Sequence, residues 1–224
     1  MKSVSAIALS LDSISSSAGF PVPVLVGRPA FIDRALLINY PARNITFFPV
    51  GVEPPCTDPI PLTFLGGVPV VTATLRATTT SQPVKLHLIV DLGTRHFAAM
   101  VGGPFLDSAD GKKLKRAGHS MQVGTGTGGA VMGSSVAVAE LTVGSNHFQN
   151  LGVALTQHVG AFAEGAADGS LGVPLWKGGS ITFDYAHQRL CLDVPRSITT
   201  ESSVAFTTMQ AKKTGLVAGF LNGR

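Results

Sequence analysis

One acidic residue, Asp91, stands in a context where a carboxylate could do chemistry. It follows a mostly apolar run at residues 86–90 that predicts a buried strand, and it precedes Leu92, Gly93 and Thr94. A carboxylate among apolar neighbours loses hydration, so it needs hydrogen bonds, a counter-charge or a shared proton. Two interpretations are open: an acid that caps the turn after the strand, and an acid that takes part in catalysis. The residues beside Asp91 alone favour the cap.

The other residue types that do chemistry form no site in this sequence. The six histidines are scattered, and no two of them stand four residues apart on a predicted helix. Cys56 and Cys191 are too few for a disulfide framework and lack the spacing of metal ligands. They form either one bridge or two free thiols. We therefore expect no metal site and no cofactor.

A glycine-rich stretch formally matches the dinucleotide-binding pattern at Gly124, Gly126 and Gly129. That pattern requires a helix directly after it and an acidic residue about 20 positions later. The residues that follow are β-prone, and Glu140 comes too early. Glycine also permits positive φ and a close approach of the backbone to a ligand. The stretch therefore predicts the tip of a β-hairpin, made of Gly124, Thr125, Gly126, Thr127, Gly128 and Gly129.

Composition predicts an all-β chain with many turns. Hydrophobic residues make up 45% of the 224 residues and charged residues 13%, with 26 glycines and 14 prolines. Apolar stretches rich in Val, Ile, Leu and Thr are typical of strands. The net charge of +4 is thinly spread, with one basic cluster at residues 112–116. We expect that cluster to be a solvated loop rather than a nucleic-acid site, because no aromatic platform accompanies it.

The sequence predicts neither a membrane span nor an export signal. No apolar stretch reaches the roughly 18 residues that are needed to cross a bilayer. The N-terminal residues resemble a signal sequence only superficially, because the apolar run is short, contains serines and is interrupted by Asp12. An upstream signal could be missing, so the localisation stays unknown.

Two segments of the chain are similar to each other. A shift of 145 residues without a gap superimposes Gly27 on Gly172, Pro29 on Pro174 and Tyr40 on Tyr185. Aromatic and β-prone positions between these also correspond, and each segment ends in a predicted hairpin. An internal repeat of this kind is a stronger guide to the fold than any single motif.

In their order, these pieces resemble a retropepsin-like aspartic peptidase of the bacterial tandem type, over residues 60–195. A unit of that family has a strand that ends in Asp-Thr-Gly, a glycine-rich flap hairpin, an apolar-apolar-Gly element and a closing hairpin. The corresponding elements here are Asp91 with Leu92, Gly93 and Thr94, the flap at residues 124–129, Leu171 with Gly172, and a closing pair over residues 181–192 with Asp184 and Tyr185.

The resemblance implies an all-β fold, a retropepsin- or pepsin-like acid protease barrel, and a domain order. Residues 1–50 would be the C-terminal portion of a first aspartic-peptidase-like repeat, and residues 51–61 a linker. Residues 62–195 would be the retropepsin-like domain, and residues 196–224 a C-terminal extension of unknown role. Asp91 precedes Gly172 by 81 residues, so the matching acid of the first repeat would lie before Met1. We therefore expect the chain to begin inside a first domain.

The resemblance also implies an activity, that of an aspartic-type endopeptidase, a hydrolase of peptide or protein substrates. In such enzymes two carboxylates share a proton; one activates a water while the other polarises the scissile carbonyl. Asp91 is the candidate here. Its partner would come from a homodimer or from a missing N-terminal half, and Leu171 and Gly172 would support its loop. No cofactor, nucleic acid or membrane partner is implied.

Departures from the family pattern leave an alternative open. Leu92 stands where the family has a Thr whose hydroxyl holds the two catalytic loops together. Arg95 and His96 bring a cation that would hold Asp91 ionised, which opposes proton sharing. The alternative is a catalytically inactive relative that serves as a peptide-binding or structural module.

Four further acids are interpreted as structural. Asp107 and Asp110 are expected in a polar loop, Asp168 in a turn, and Asp184 in the closing hairpin.

Overall fold

The protein is mostly β. A computed structural model describes residues 8–126, 129–157, 167–194 and 197–199. Residues 197–199 are described by their backbone alone. Within these ranges the helices are α1 (Asp12–Ala18), α2 (Pro104–Asp107) and α3 (Ala109–Ala117). The strands are β1 (Ala35–Asn39), β2 (Asn44–Phe47), β3 (Ile60–Pro61), β4 (Thr63–Leu65), β5 (Val68–Arg76), β6 (Val84–Val90), β7 (Ala99–Val101), β8 (His119–Gly126), β9 (Gly129–Val143), β10 (Asn146–Leu155), β11 (Gly169–Leu171), β12 (Ser180–Asp184), β13 (Arg189–Asp193) and β14 (Ser197–Thr199).

The strands form two sheets around one core. The smaller sheet has the order β2-β1-β12-β13-β3, and the larger one runs β14-β10-β7-β11-β6-β5-β9-β8, with β4 on β5 and a further pairing of β9 with β10. A single apolar cluster contains side chains from both sheets, including Phe148 of β10 and Phe183 of β12, together with Trp176 from the connection before β12; all three are fully buried. Burial of this apolar surface is the main term that holds the two sheets together.

The two segments that the sequence aligns have the same local elements. A 3₁₀ turn at Arg28–Ala30 corresponds to one at Val173–Leu175, a shift of 145 residues from 28 to 173. By the same shift, the first residue of β1 falls on that of β12 and the first residue of β2 on that of β13. Both hairpins turn through a residue with positive φ, 53° at Arg43 and 51° at Gln188.

β1 and β12 pair antiparallel about a local two-fold axis. Leu37 lies opposite Thr182, which is its own counterpart in the alignment. The pairs on either side are exchanged by the same shift, since Ala35 lies opposite Asp184 and Asn39 opposite Ser180. The smaller sheet is therefore built around the meeting of the two aligned segments. Whether residues 1–50 belong to a partial peptidase-like repeat stays a prediction.

Residues 51–61 are attached to the smaller sheet by a disulfide, an ion pair and a short strand. Cys56 forms a disulfide with Cys191 of β13, with 5.7 Å between their Cα atoms, so the bridge and not the free thiols is present. Glu53 accepts from the guanidinium of Arg189 at 2.6 Å, and Ile60–Pro61 forms β3. These contacts fix the approach of the chain to the larger sheet.

The prediction of a loop around the basic cluster and two acids is wrong. Asp107 ends α2, and the basic residues 112–116 lie on α3 with Asp110 in its first turn. The side chain of Ser108 caps α3 by accepting from the amide of Gly111 at 3.0 Å. Basic residues in the last turn also suit the negative end of the helix dipole. No helix of the described ranges is long and apolar enough to span a membrane.

Candidate active site

Asp91 directly follows β6 and begins the loop that leads to β7. Its amide donates to the carbonyl of Leu171 at 3.0 Å. Leu171 ends β11, which lies between β6 and β7 and is parallel to the first and antiparallel to the second. Both ends of the loop are therefore joined to the same central strand, which holds the acid at a defined place on the sheet.

The carboxylate of Asp91 is bound within its own loop. Oδ1 accepts from the amide of Gly93 at 2.7 Å, and Oδ2 accepts from the hydroxyl of Thr94 at 2.8 Å. Leu92 is only 3% exposed, and its side chain is part of the main core. Thr94 therefore supplies a hydroxyl to Asp91, while Leu92 anchors the loop by apolar packing.

Gly172 packs directly against this loop. Its amide donates to the carbonyl of Ala98 at 2.9 Å, and the next amide, of Val173, donates to the carbonyl of Thr94 at 2.8 Å. A Cβ atom on Gly172 would lie 2.2 Å from the carbonyl oxygen of Phe97 and 2.7 Å from Cγ2 of Thr94. Both distances are far shorter than van der Waals contact, so this position has room for glycine alone.

Burial raises the pKa of Asp91 above its ordinary value of 3.8, although hydrogen bonds from Gly93 and Thr94 act in the opposite direction. The expectation that a neighbouring cation holds Asp91 ionised is therefore not met. The guanidinium of Arg95 donates instead to the carbonyl of Ser17 at the end of α1, at 3.4 Å. Burial, followed by the charge of Arg95, lowers the pKa of His96. Both effects favour a neutral imidazole beside the loop.

The glycine-rich stretch lies at the end of a β-hairpin formed by β8 and β9. Gly124, Thr125 and Gly126 belong to β8, and Gly126 lies opposite Gly129 of β9, while Thr127 and Gly128 lie outside the described residues. The register shifts between Gln122 and Gly124, which marks a bulge. This hairpin is called the flap hairpin below.

A small apolar cluster joins the flap hairpin to the segment after Asp91. It consists of Phe97, Val123 and Ala154, with Met100, Met121 and Val131 packed against them. The hydroxyl of Thr94 lies 3.7 Å from Sδ of Met100, so the cluster also touches the Asp91 loop. Sequence analysis missed this cluster. Its one signal was the alternation of Met121 and Val123, which places both side chains on the same face of β8.

The other acids have structural partners. The carboxylate of Asp168 accepts from the amide of His87 at 2.8 Å, and so ties β11 to β6. Asp184 is buried and accepts from the side chains of His187 and Arg189, each at 2.8 Å. The hydrogen bonds of Asp91 come from Gly93 and Thr94, and none involves another carboxylate of the described ranges.

In the part of the chain that the structure describes, no three His, Cys, Asp or Glu side chains are grouped as metal ligands. Comparison of the sequence with models of protein families gives no match, and comparison with curated proteins gives none either. The interpretation of the site therefore depends on its own geometry.

Proposed function

We propose that this chain is a unit of an aspartic-type endopeptidase with a retropepsin-like fold, in which Asp91 is one of two catalytic carboxylates. The observation that carries the proposal is the environment of Asp91: a half-buried acid whose pKa is raised by desolvation, with an internal donor on each oxygen. The order of the surrounding elements supports it, since β11 and Gly172 brace the acid loop and the flap hairpin packs against the same segment.

The proposed mechanism needs a second carboxylate, either from a second copy of this chain or from an N-terminal half outside these 224 residues. Two carboxylates at close range share one proton, because both cannot remain ionised. The raised pKa of Asp91 suits the member of the pair that keeps the proton and polarises the scissile carbonyl. Its partner would then take a proton from the attacking water, and the roles would exchange as the leaving amine is protonated.

The internal donors leave Asp91 able to do this. A carboxylate has about four acceptor positions on its two oxygens. The Gly93 amide and the Thr94 hydroxyl use one on each oxygen, and the Thr94 amide also bonds to the carboxylate. About one position therefore remains for a shared proton or a water. The same donors hold the carboxyl plane in one orientation, which catalysis by proton transfer requires.

A second candidate function is favoured by Leu92. Its buried side chain provides no hydroxyl for a bond between two acid loops, so an assembled pair would be less tightly held. A protein that binds peptides beneath the flap hairpin without cleaving them would have all the contacts described above and would lack only the cleavage reaction.

Incubation of the purified chain with a peptide mixture at acidic and neutral pH distinguishes the two. The peptidase proposal predicts new peptide termini with the wild type and with Asp107→Asn, a control at an exposed acid, but not with Asp91→Asn. Saturable binding of intact peptides without cleavage would favour the binding module. Light scattering on the same samples shows whether a second copy is present to supply the partner acid.

A further inference from the structure

Residues 24–50 expose several large apolar side chains. Val24, Val26, Ile32, Phe47 and Val50 are between 48% and 67% exposed. The aligned second segment differs: Leu171, the counterpart of Val26, is fully buried in β11 between β6 and β7. An apolar position that is covered in the second segment is therefore open in the first.

β2 is an edge strand of the smaller sheet in the described part of the chain, since it pairs with β1 alone. Its counterpart β13 is covered on the same side by β3, where Leu190 lies opposite Ile60. The amide of Leu62, just after β3, donates to the carbonyl of Gln188 at 2.8 Å. Among the described residues, the β13 edge of this sheet therefore carries a strand contact that the β2 edge does not have.

The main chain of β2 is arranged to accept the same contact. Phe48 donates inward to the carbonyl of Ala35 at 3.0 Å. Since inward and outward groups alternate along an antiparallel strand, Ile45 and Phe47 direct their amides and carbonyls to the open side. Ile45 is the counterpart of Leu190 (45 to 190), and Arg43 that of Gln188 (43 to 188).

We propose that the outer edge of β2 binds an extended apolar strand of a second polypeptide, antiparallel and in the register that β3 has on β13. In that register the strand donates to the carbonyl of Arg43 and exchanges hydrogen bonds with Ile45. Its side chains have the character of Ile60 and Leu62, which are 3% and 1% exposed where they pack. This goes beyond the proposed peptidase activity, because it rests on strand pairing and exposed apolar groups and not on Asp91.

The occupant is a different polypeptide rather than a second copy of this chain. The β3 strand of a second copy is already paired with its own β13, and the Cys56–Cys191 disulfide holds the preceding residues there. The open edge also continues the sheet through which the two aligned segments meet. A strand related to β3 by the local two-fold axis would extend that sheet to six strands.

A peptide with the sequence of residues 57–64, Thr-Asp-Pro-Ile-Pro-Leu-Thr-Phe, tests this directly. With a fluorescent label it should bind the full chain saturably, and hydrogen exchange should show new protection of the Ile45 and Phe47 amides. Methylation of the Leu62 nitrogen of the peptide should weaken binding about tenfold, because the hydrogen bond to the Arg43 carbonyl is lost and its acceptor is left unpaired.

Variants of the protein give the matched comparison. Ile45→Pro removes the outward amide but no bond to β1, since edge strands tolerate proline on the open side, and it should weaken binding about as much as methylation does. Ile45→Val keeps the amide and should bind like the wild type. If Ile45→Pro does not fold, the methylated peptide alone decides.

Absence of binding, equal binding of the methylated peptide, or protection at β13 instead of β2 would each overturn the proposal. So would amides of Ile45 and Phe47 that are protected before peptide is added, because another part of the chain then covers the edge. A particle of twice 23.1 kDa that Ile45→Pro converts to a monomer would assign the edge to a second copy instead.

Discussion

The hydroxyl of Thr94 donates to Oδ2 of Asp91 at 2.8 Å, three residues along the chain. Burial raises the pKa of Asp91, and this hydrogen bond lowers it, so the two effects oppose each other at one carboxylate. The chemical state of Asp91 therefore depends on Thr94 in a way that substitution can measure.

Thr94→Val removes the hydroxyl with little change in volume, so the pKa of Asp91 should rise further. Thr94→Ser keeps the hydroxyl and should leave that pKa near the wild-type value. Titration of the carboxyl carbon by NMR compares the two variants. A pKa that is the same with Val as with Ser would show that Thr94 does not control the charge of Asp91.

Asp91→Asn should change the pH dependence of stability. The folded-state pKa is raised above the ordinary value of 3.8, so the stabilising contribution of Asp91 is complete below that pH and is lost as the pH rises through the folded-state pKa. The neutral Asn variant should therefore gain stability relative to the wild type between acidic and neutral pH. Denaturant unfolding across this range measures the gain, and a difference independent of pH would contradict the raised pKa.

Gly172→Ala should destabilise the protein by about 1 to 3 kcal/mol, because its Cβ would lie 2.2 Å from a backbone oxygen that cannot easily move. Gly124→Ala is the matched control in the flap hairpin. A Cβ there meets no atom within 4 Å, so the expected change is below about 0.5 kcal/mol. Thermal or denaturant unfolding gives both values, and similar losses would argue against close packing at Gly172.

Loss of the Cys56–Cys191 disulfide should lower the free energy of unfolding by about 2 to 5 kcal/mol, because it closes a loop of 135 residues in the unfolded chain. The double variant Cys56→Ala, Cys191→Ala and the reduced wild type should have similar unfolding midpoints. Addition of a reductant should not affect the double variant. An oxidised wild type no more stable than the double variant would exclude a stabilising bridge.

The sequence predicted the mostly β class because apolar strand patterns and turn residues act locally. It also predicted the hairpin at residues 124–129, since the glycine-rich stretch has β-prone residues on both sides. It missed the helical state of residues 109–117, although Ser108 before Asp110 and the basic last turn were helix signals. The abundance of charge was interpreted as a solvated loop, while Leu114 packs the helix onto the core.

The features that could not be predicted depend on contacts between distant residues. The pairing of Cys56 with Cys191 needs the approach of residues 51–61 to β13, and no local pattern encodes it. The orientation of Arg95 depends on α1, since its guanidinium donates to the carbonyl of Ser17. The raised pKa of Asp91 likewise follows from burial by several elements.

The most direct test of the account is the rate of peptide cleavage by the wild type and by Asp91→Asn at the pH of highest activity, with Asp107→Asn as control. Loss of a group that transfers protons should lower the rate about 100-fold to 10,000-fold, while the control keeps the wild-type rate. Cleavage by Asp91→Asn at the wild-type rate would contradict the assignment of Asp91 as a catalytic carboxylate.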